Sequence, residues 1–311
     1  MTFLLSCVSI IIGFVLLIKG ADFFVDGAAS VATKVGIPQI VVGLTIVAFG
    51  TSAPEAAVSI GSALKGSDGI SIGNVLGSNI MNILVILGIT AIICNLPVKK
   101  SSIKVDMPVM IGLSILLFVF GYFMHSFNYI AGIVFWVILV AYVVYLVFYS
   151  IKNGADEDAE AKELSVLRIV IYIVGGIVAI VYGSSLTVDG ASYVAAALGV
   201  SDRIIGLTVV AFGTSLPELV TSVTAARKNN TDIAVGNIVG SNIFNMAFVL
   251  GTTAIIRKVP FGEAFYFDGI IAIIAAVLLW VLTFKKCELN RVGGICLFAG
   301  YVAYFVAILV Q

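Results

Sequence analysis

Two six-residue strings, Gly50-Thr51-Ser52-Ala53-Pro54-Glu55 and Gly213-Thr214-Ser215-Leu216-Pro217-Glu218, place hydroxyls, a proline and a carboxylate inside otherwise apolar stretches. A proline within a helix removes one backbone donor and clashes with a carbonyl a turn earlier, so both helices are predicted to break there. Serine fits the N-cap of each restarted helix, with glutamate three residues on, a capping-box pattern. Kinks closed by their own side chains would account for such strings in water. In hydrocarbon a carboxylate is costly, and intramembrane acids usually mark ion pathways. The breaks are expected to free the carbonyls of Ala48 and Ala211. Together with the hydroxyls of Thr51, Ser52, Thr214 and Ser215 and the carboxylates of Glu55 and Glu218, they form an all-oxygen donor set of charge about −2. That chemistry suits Ca²⁺, which takes roughly six to eight oxygens in flexible geometry, better than Mg²⁺, which sheds water reluctantly. Soft metals would ask for Cys, Met or His.

A second motif follows each string: Gly73-Asn74-Val75-Leu76-Gly77-Ser78-Asn79-Ile80-Met81-Asn82 and Gly236-Asn237-Ile238-Val239-Gly240-Ser241-Asn242-Ile243-Phe244-Asn245. Ser78 and Asn82 are spaced i, i+4 and share one helix face, as do Ser241 and Asn245, so these four are read as further ion ligands. Asn79 and Asn242 lie off that face and are expected in interhelical hydrogen bonds. The glycines at 73, 77, 236 and 240 let helices approach closely. Asp26 and Asp189 also recur and read as capping or gating groups, while Lys19 and Asp22 could pair locally at i, i+3.

The elements that carry these residues are membrane spans. The 311 residues are 61% hydrophobic and 11% charged, with a mean hydropathy of +1.18. A soluble domain carries roughly 25% charged residues, so this chain lacks the polar surface to cover itself in water. Apolar runs long enough to cross a bilayer predict ten spans: 3–33, 39–63, 70–94, 106–124, 129–150, 166–197, 203–226, 232–256, 267–284 and 292–310. The first run has no basic n-region or small-residue cleavage site, so a cleaved signal peptide is not expected. Cys7, Cys94, Cys287 and Cys296 show no metal-ligand spacing and read as small apolar side chains. The single histidine, His125, falls in a connector, which disfavours a histidine proton relay in the membrane.

Residues 26–82 align without a gap on 189–245, at an offset of 163, with 28 of 57 positions identical. The charged stretch 152–165 divides the chain into halves 1–151 and 166–311 of five spans each. An odd span count makes the second copy enter the bilayer from the opposite side. The expected fold is therefore an all-α membrane protein of two inverted five-helix repeats, with helices 2 and 7 discontinuous and a site near the midplane. Lys34, Lys99, Lys100, Lys104, Lys152, Lys162, Arg168, Arg227, Lys228, Lys285, Lys286 and Arg291 gather on one side; Lys65, Arg203, Arg257 and Lys258 gather on the other. The positive-inside bias puts the linker in the cytoplasm and both termini outside the cell membrane.

The paired motifs resemble the α-repeats of the cation/calcium exchanger superfamily, specifically its sodium/calcium exchanger branch, and the likeness covers most of the chain. It implies alternating access in which sodium entry drives calcium extrusion, with the first and sixth helices sliding against the other eight. It implies ligands at Ala48, Thr51, Ser52, Glu55, Ser78 and Asn82, and at Ala211, Thr214, Ser215, Glu218, Ser241 and Asn245. Some relatives, including the potassium-dependent branch, carry aspartate where this chain has Asn245, so the neutral amide weighs against potassium dependence. Calcium-sensing domains known in animal members have no room in the linker.

Calcium and sodium would share the two glutamates and bind in turn, and protons would compete for the same oxygens, so acid is expected to inhibit. Antiport with protons or another cation on the same fold is the nearest rival, and a channel or a non-transporting scaffold is a third reading. No catalytic triad, phosphate loop or nucleotide motif appears, which disfavours enzymatic chemistry and primary pumping. The expected partners are the two ions and the lipid bilayer, with no cofactor, nucleic acid or obligate protein partner.

Overall fold

Long apolar runs become long helices because in lipid every backbone polar group must be satisfied within its own segment. The computed structural model describes residues 3–65, 68–154, 164–199 and 211–310. Helix α1 (Phe3–Val35) leads into α2 (Gln39–Thr51) and α3 (Ala53–Lys65), which meet at a bend of 50°. Next come α4 (68–93), α5 (Ser102–Met124), α6 (Tyr129–Asn153) and α7 (Val166–Ala197). The short α8 (Ala211–Thr214) abuts α9 (Leu216–Arg227), followed by α10 (Thr231–Ile256), α11 (Ala264–Phe284) and α12 (Arg291–Val310). Among the described residues eight helices are long and apolar enough to cross a membrane, and the bent α2–α3 pair makes a ninth. The protein is a multi-pass membrane protein.

The predicted spans match these helices to within a few residues, with two exceptions. Span 106–124 begins earlier, at Ser102, because a wide π-type turn over Ser102–Asp106 accommodates Lys104 and Asp106, which hydropathy reads as a boundary. The first part of span 203–226 lies outside the described residues, as does most of the 152–165 linker.

Burial runs opposite to that of a soluble protein. Helices α4 and α10 form the centre, with 78% and 89% of their apolar windows buried, against 22% for α1 and α7. The outer faces are apolar: Ile11, Val15 and Ile18 on α1, and Val170, Val174 and Val178 on α7, are exposed. Polar residues are inside, among them Glu55, Asn79, Asn82, Glu218, Asn242 and Asn245.

Helices α1 and α7 pack antiparallel along most of their length, through glycines spaced seven apart. A side chain at Gly20 would meet the Gly176 carbonyl at 3.0 Å, and one at Gly176 would meet the Gly20 carbonyl at 2.9 Å. Two-residue strands tie the helix ends together. Strand β1 (Leu96–Pro97) pairs antiparallel with β4 (Glu288–Leu289), and β2 (Ser126–Phe127) with β3 (Val259–Pro260). Each pair joins a connector from the first half of the chain to one from the second.

Candidate cation site

The breaks fall at single residues. Ser52 (φ −83°, ψ 8°) separates α2 from α3, and Ser215 (φ −92°, ψ 2°) separates α8 from α9, both near the sparsely allowed bridge region. The capping-box expectation is corrected here. Ser215 makes no side-chain cap bond, and the Ser52 hydroxyl reaches across to Glu218 Oε1 at 3.0 Å. Main-chain bonds continue over both serines, Ala56 N–H to Ser52 O and Leu219 N–H to Ser215 O, so little is left to cap. The expectation of a freed carbonyl is corrected at Ala48, whose oxygen is taken by the main chain. Proline at position n withholds its bond from the carbonyl at n−4, which is Gly213 for Pro217, and Ser184 of α7 donates to that oxygen at 2.7 Å. The Ala48 carbonyl, by contrast, accepts the Ser52 N–H at 3.0 Å and lies 3.5 Å from the Ser241 hydroxyl.

Glu55 and Glu218 sit one residue past each proline, 1% and 0% exposed. Helix α3, which carries Glu55, packs against the wide turn Asn245–Leu250, and α9, which carries Glu218, packs against the wide turn Asn82–Leu87. These turns open on Asn82 and Asn245, equivalent positions in the two motifs, and such π-bulges are frequent at functional sites. Among the described residues, both carboxylate oxygens of Glu55, Oε2 of Glu218, Oδ1 of Asn82 and of Asn245, Oγ of Ser215 and Oγ1 of Thr221 are buried with no hydrogen-bond partner. Buried polar atoms in proteins are nearly always paired. Here seven unpaired atoms lie on four packed segments, all are oxygens, and two carboxylates supply the charge. This donor set fits a dehydrated hard cation and offers nothing to a soft one.

Of the remaining predicted ligands, Thr51 donates to Asn237 Oδ1 at 2.9 Å, and Ser78 and Ser241 are buried on α4 and α10. Thr214 closes α8, half-buried; Ala211 opens α8, and its side chain lies outside the described residues. Asn79 and Asn242 make the interhelical bonds expected of them. Asn82 Nδ2 donates to Asn242 Oδ1 at 3.0 Å, and Asn245 Nδ2 donates to Asn79 Oδ1 at 3.2 Å.

The sodium/calcium exchanger protein family matches residues 5–149 and 168–310. This chain belongs to that family. The sodium/calcium exchanger MaX1 of Methanosarcina acetivorans is 33% identical over 343 residues, covering 96% of this chain and 97% of MaX1. The inner membrane protein YrbG of Escherichia coli is 31% identical, covering 97% and 96%. A solved structure of the sodium-calcium exchanger NCX_Mj, soaked with 10 mM Na⁺ and zero Ca²⁺, superposes with a TM-score of 0.87 at 32% identity, covering 98% of this chain and 99% of that one.

In this exchanger-family protein several groups around the site escaped the sequence reading. Asn237 Nδ2 donates to Ser222 Oγ at 3.0 Å and Asn74 Nδ2 to Ser59 Oγ at 2.9 Å, the same bond in each half. Both asparagines stand in the quoted motifs, and their recurrence with Ser59 and Ser222 at one offset was the available signal. Farther out, Tyr142 donates to Asp106 and Tyr304 to Asp268, each at 2.8 Å and each spanning 36 positions. Asp22 does not pair with Lys19 as expected: Lys228, at the end of α9, takes Asp22 at 3.3 Å and Asp26 at 2.8 Å. The long lysine side chain spans two helices, and it gives Asp26 a tie between α1 and the core. Asp189 accepts from Ser185 within α7 at 3.4 Å.

Proposed function

We propose that this protein is a secondary-active antiporter that exchanges sodium for calcium across the cell membrane by alternating access. The observation that carries the reading is the set of seven buried oxygens, unpartnered among the described residues, on the segments that carry and pack against Glu55 and Glu218. Two ionised glutamates give the site a charge of about −2, which one Ca²⁺ neutralises, whereas Na⁺ must enter in greater number to do the same. Both ions need the same carboxylates, so they bind in turn, and that mutual exclusion is the physical basis of exchange. The names of MaX1 and NCX_Mj support the choice of ions.

The ligand set we propose is Ala48, Thr51, Ser52, Glu55, Ser78 and Asn82 from the first half and Ala211, Thr214, Ser215, Glu218, Ser241 and Asn245 from the second. The architecture proposed for it is ten spans in two inverted five-helix repeats, 1–151 and 166–311, joined by a cytoplasmic linker. Equivalent hydrogen bonds in the two halves and the exchanged pairing of β1 with β4 and β2 with β3 support that symmetry.

Uptake of radioactive calcium into proteoliposomes tests the function. An outward-directed sodium gradient is expected to drive uptake, potassium and proton gradients are not, and Glu55→Gln is expected to reduce it at least a hundredfold. Uptake driven by protons alone would make the protein a calcium/proton antiporter; undiminished uptake by Glu55→Gln would remove the site.

A further inference from the structure

The asparagine side chain has two ends, a carbonyl that attracts a cation and an NH₂ that repels one, and they have nearly the same shape. An amide in a cation site is therefore useful only if something decides which end faces inward. Asn79 Nδ2 donates to the main-chain carbonyl of Asn242 at 3.4 Å, and Asn242 Nδ2 donates to the main-chain carbonyl of Asn79 at 3.3 Å. A main-chain carbonyl can only accept, so each of these side chains must turn its NH₂ to the facing backbone and its Oδ1 the other way. Asn242 Nδ2 also lies 3.6 Å from Met110 Sδ, another acceptor. The two outward-turned oxygens then take the NH₂ groups of Asn82 and Asn245. The acceptor left on each of Asn82 and Asn245 is its Oδ1, buried and unpartnered among the described residues, on wide turns that pack against α9 with Glu218 and α3 with Glu55.

We infer that Asn79 and Asn242 are positioning residues that fix the amide polarity of Asn82 and Asn245, so that both present only acceptors to the ion. The polarity is anchored on two backbone carbonyls that cannot flip, and it passes through one side chain to the next. Four asparagines thus form a reciprocal bracket where α4 crosses α10. Without it, either ligand amide could turn by half a rotation, donate to a glutamate and compete with the cation.

This inference rests on the cation-site reading, and the test separates the two. In proteoliposomes, Asn79→Ala is expected to raise the half-saturating calcium concentration about tenfold, the loss of one oriented ligand worth about 1.4 kcal/mol. Adding Asn245→Asp should return it to within about threefold of Asn245→Asp alone, because a carboxylate has an acceptor at both ends. Asn242→Ala and its rescue by Asn82→Asp form the mirrored test. Asn79→Ser, too short to reach Asn245, replaces Asn79→Ala if the alanine variant is not monodisperse. A residue that merely supports the helix crossing would lower the yield of folded protein and would not be rescued by a carboxylate at the ligand. Parental calcium dependence in Asn79→Ala, or a double variant as weak as the single, overturns the inference. Glu55→Gln in parallel shows which claim has failed: if it still takes up calcium, the site reading falls, and if it alone is impaired, only the bracket does.

Discussion

The Ser52 hydroxyl, 3.0 Å from one oxygen of a fully buried glutamate, links the two six-residue strings directly. Hydrogen bonds to charged groups contribute about 1.5–3 kcal/mol, and losing one leaves the buried charge less well solvated. Ser52→Ala is therefore expected to weaken calcium binding by about ten- to a hundredfold, read by calorimetric titration in detergent, while the protein remains folded. Calcium affinity unchanged in Ser52→Ala would show that Glu218 does not need this donor. The types and positions of Glu55, Glu218, Ser52 and Asn82 were legible in the sequence because polar residues in an apolar run have few reasons to be there. Their partners were not. Whether a serine caps its own helix or crosses to another depends on how far the break opens the backbone ladder, and here one residue interrupts it while the main-chain bonds continue. For the same reason the sequence pointed to the carbonyl of Ala48, although proline chemistry frees the one four residues before the proline, Gly50 for Pro54.

At the scale of elements, α1 and α7 stand apart from the rest. They bury little of their own surface, yet Gly13 faces Gly183 and Gly20 faces Gly176 with backbone-level approach, while Gly27 lies against Tyr172 and Ile173 and Gly190 against Ser6 and Ile10. Without a hydrophobic drive between helices in lipid, such close packing of small residues is what holds a pair together. Gly20→Leu has no room and is expected to destabilise the protein by about 1–3 kcal/mol or more, lowering its thermal unfolding midpoint in detergent. Gly175, one residue from Gly176, is exposed with nothing within 4 Å, so Gly175→Leu serves as the control and should leave the midpoint unchanged within about 0.5 kcal/mol. Equal effects from the two would mean the glycine face does not hold the pair. These glycines recur at the same offset of 163 as the motifs, so the signal was present, but only part of it lies inside the 26–82 alignment. The two-residue strands carried no sequence signal at all, since a ladder so short has no periodicity to read.

The grouping of charge belongs to the whole molecule, and the contacts show which basic connectors share a face. The β1–β4 pair brings the connector with Lys99 and Lys100 to the one with Lys285 and Lys286. Lys99 pairs with Asp232 at 3.0 Å, Lys228 with Asp22 and Asp26, and Lys34 donates to the Leu164 carbonyl at the end of the linker. Basic residues assigned to one side from sequence are thus bound together into one face of the molecule. The β2–β3 pair builds the opposite end, where the connector after His125 meets the one with Arg257 and Lys258. Cytoplasmic loops carry the excess of Lys and Arg, so the face holding the linker is expected to be the cytoplasmic one. Exposed single cysteines can test this in a background where Cys7, Cys94, Cys287 and Cys296 are replaced by serine or alanine. A membrane-impermeant maleimide added to intact cells is expected to label Lys258→Cys and spare Lys100→Cys, and inverted vesicles should reverse the pattern. The opposite pattern would invert the protein in its membrane and leave the fold intact. Labelling of both positions from one side would break the two-faced arrangement itself, and with it the inverted repeat proposed above.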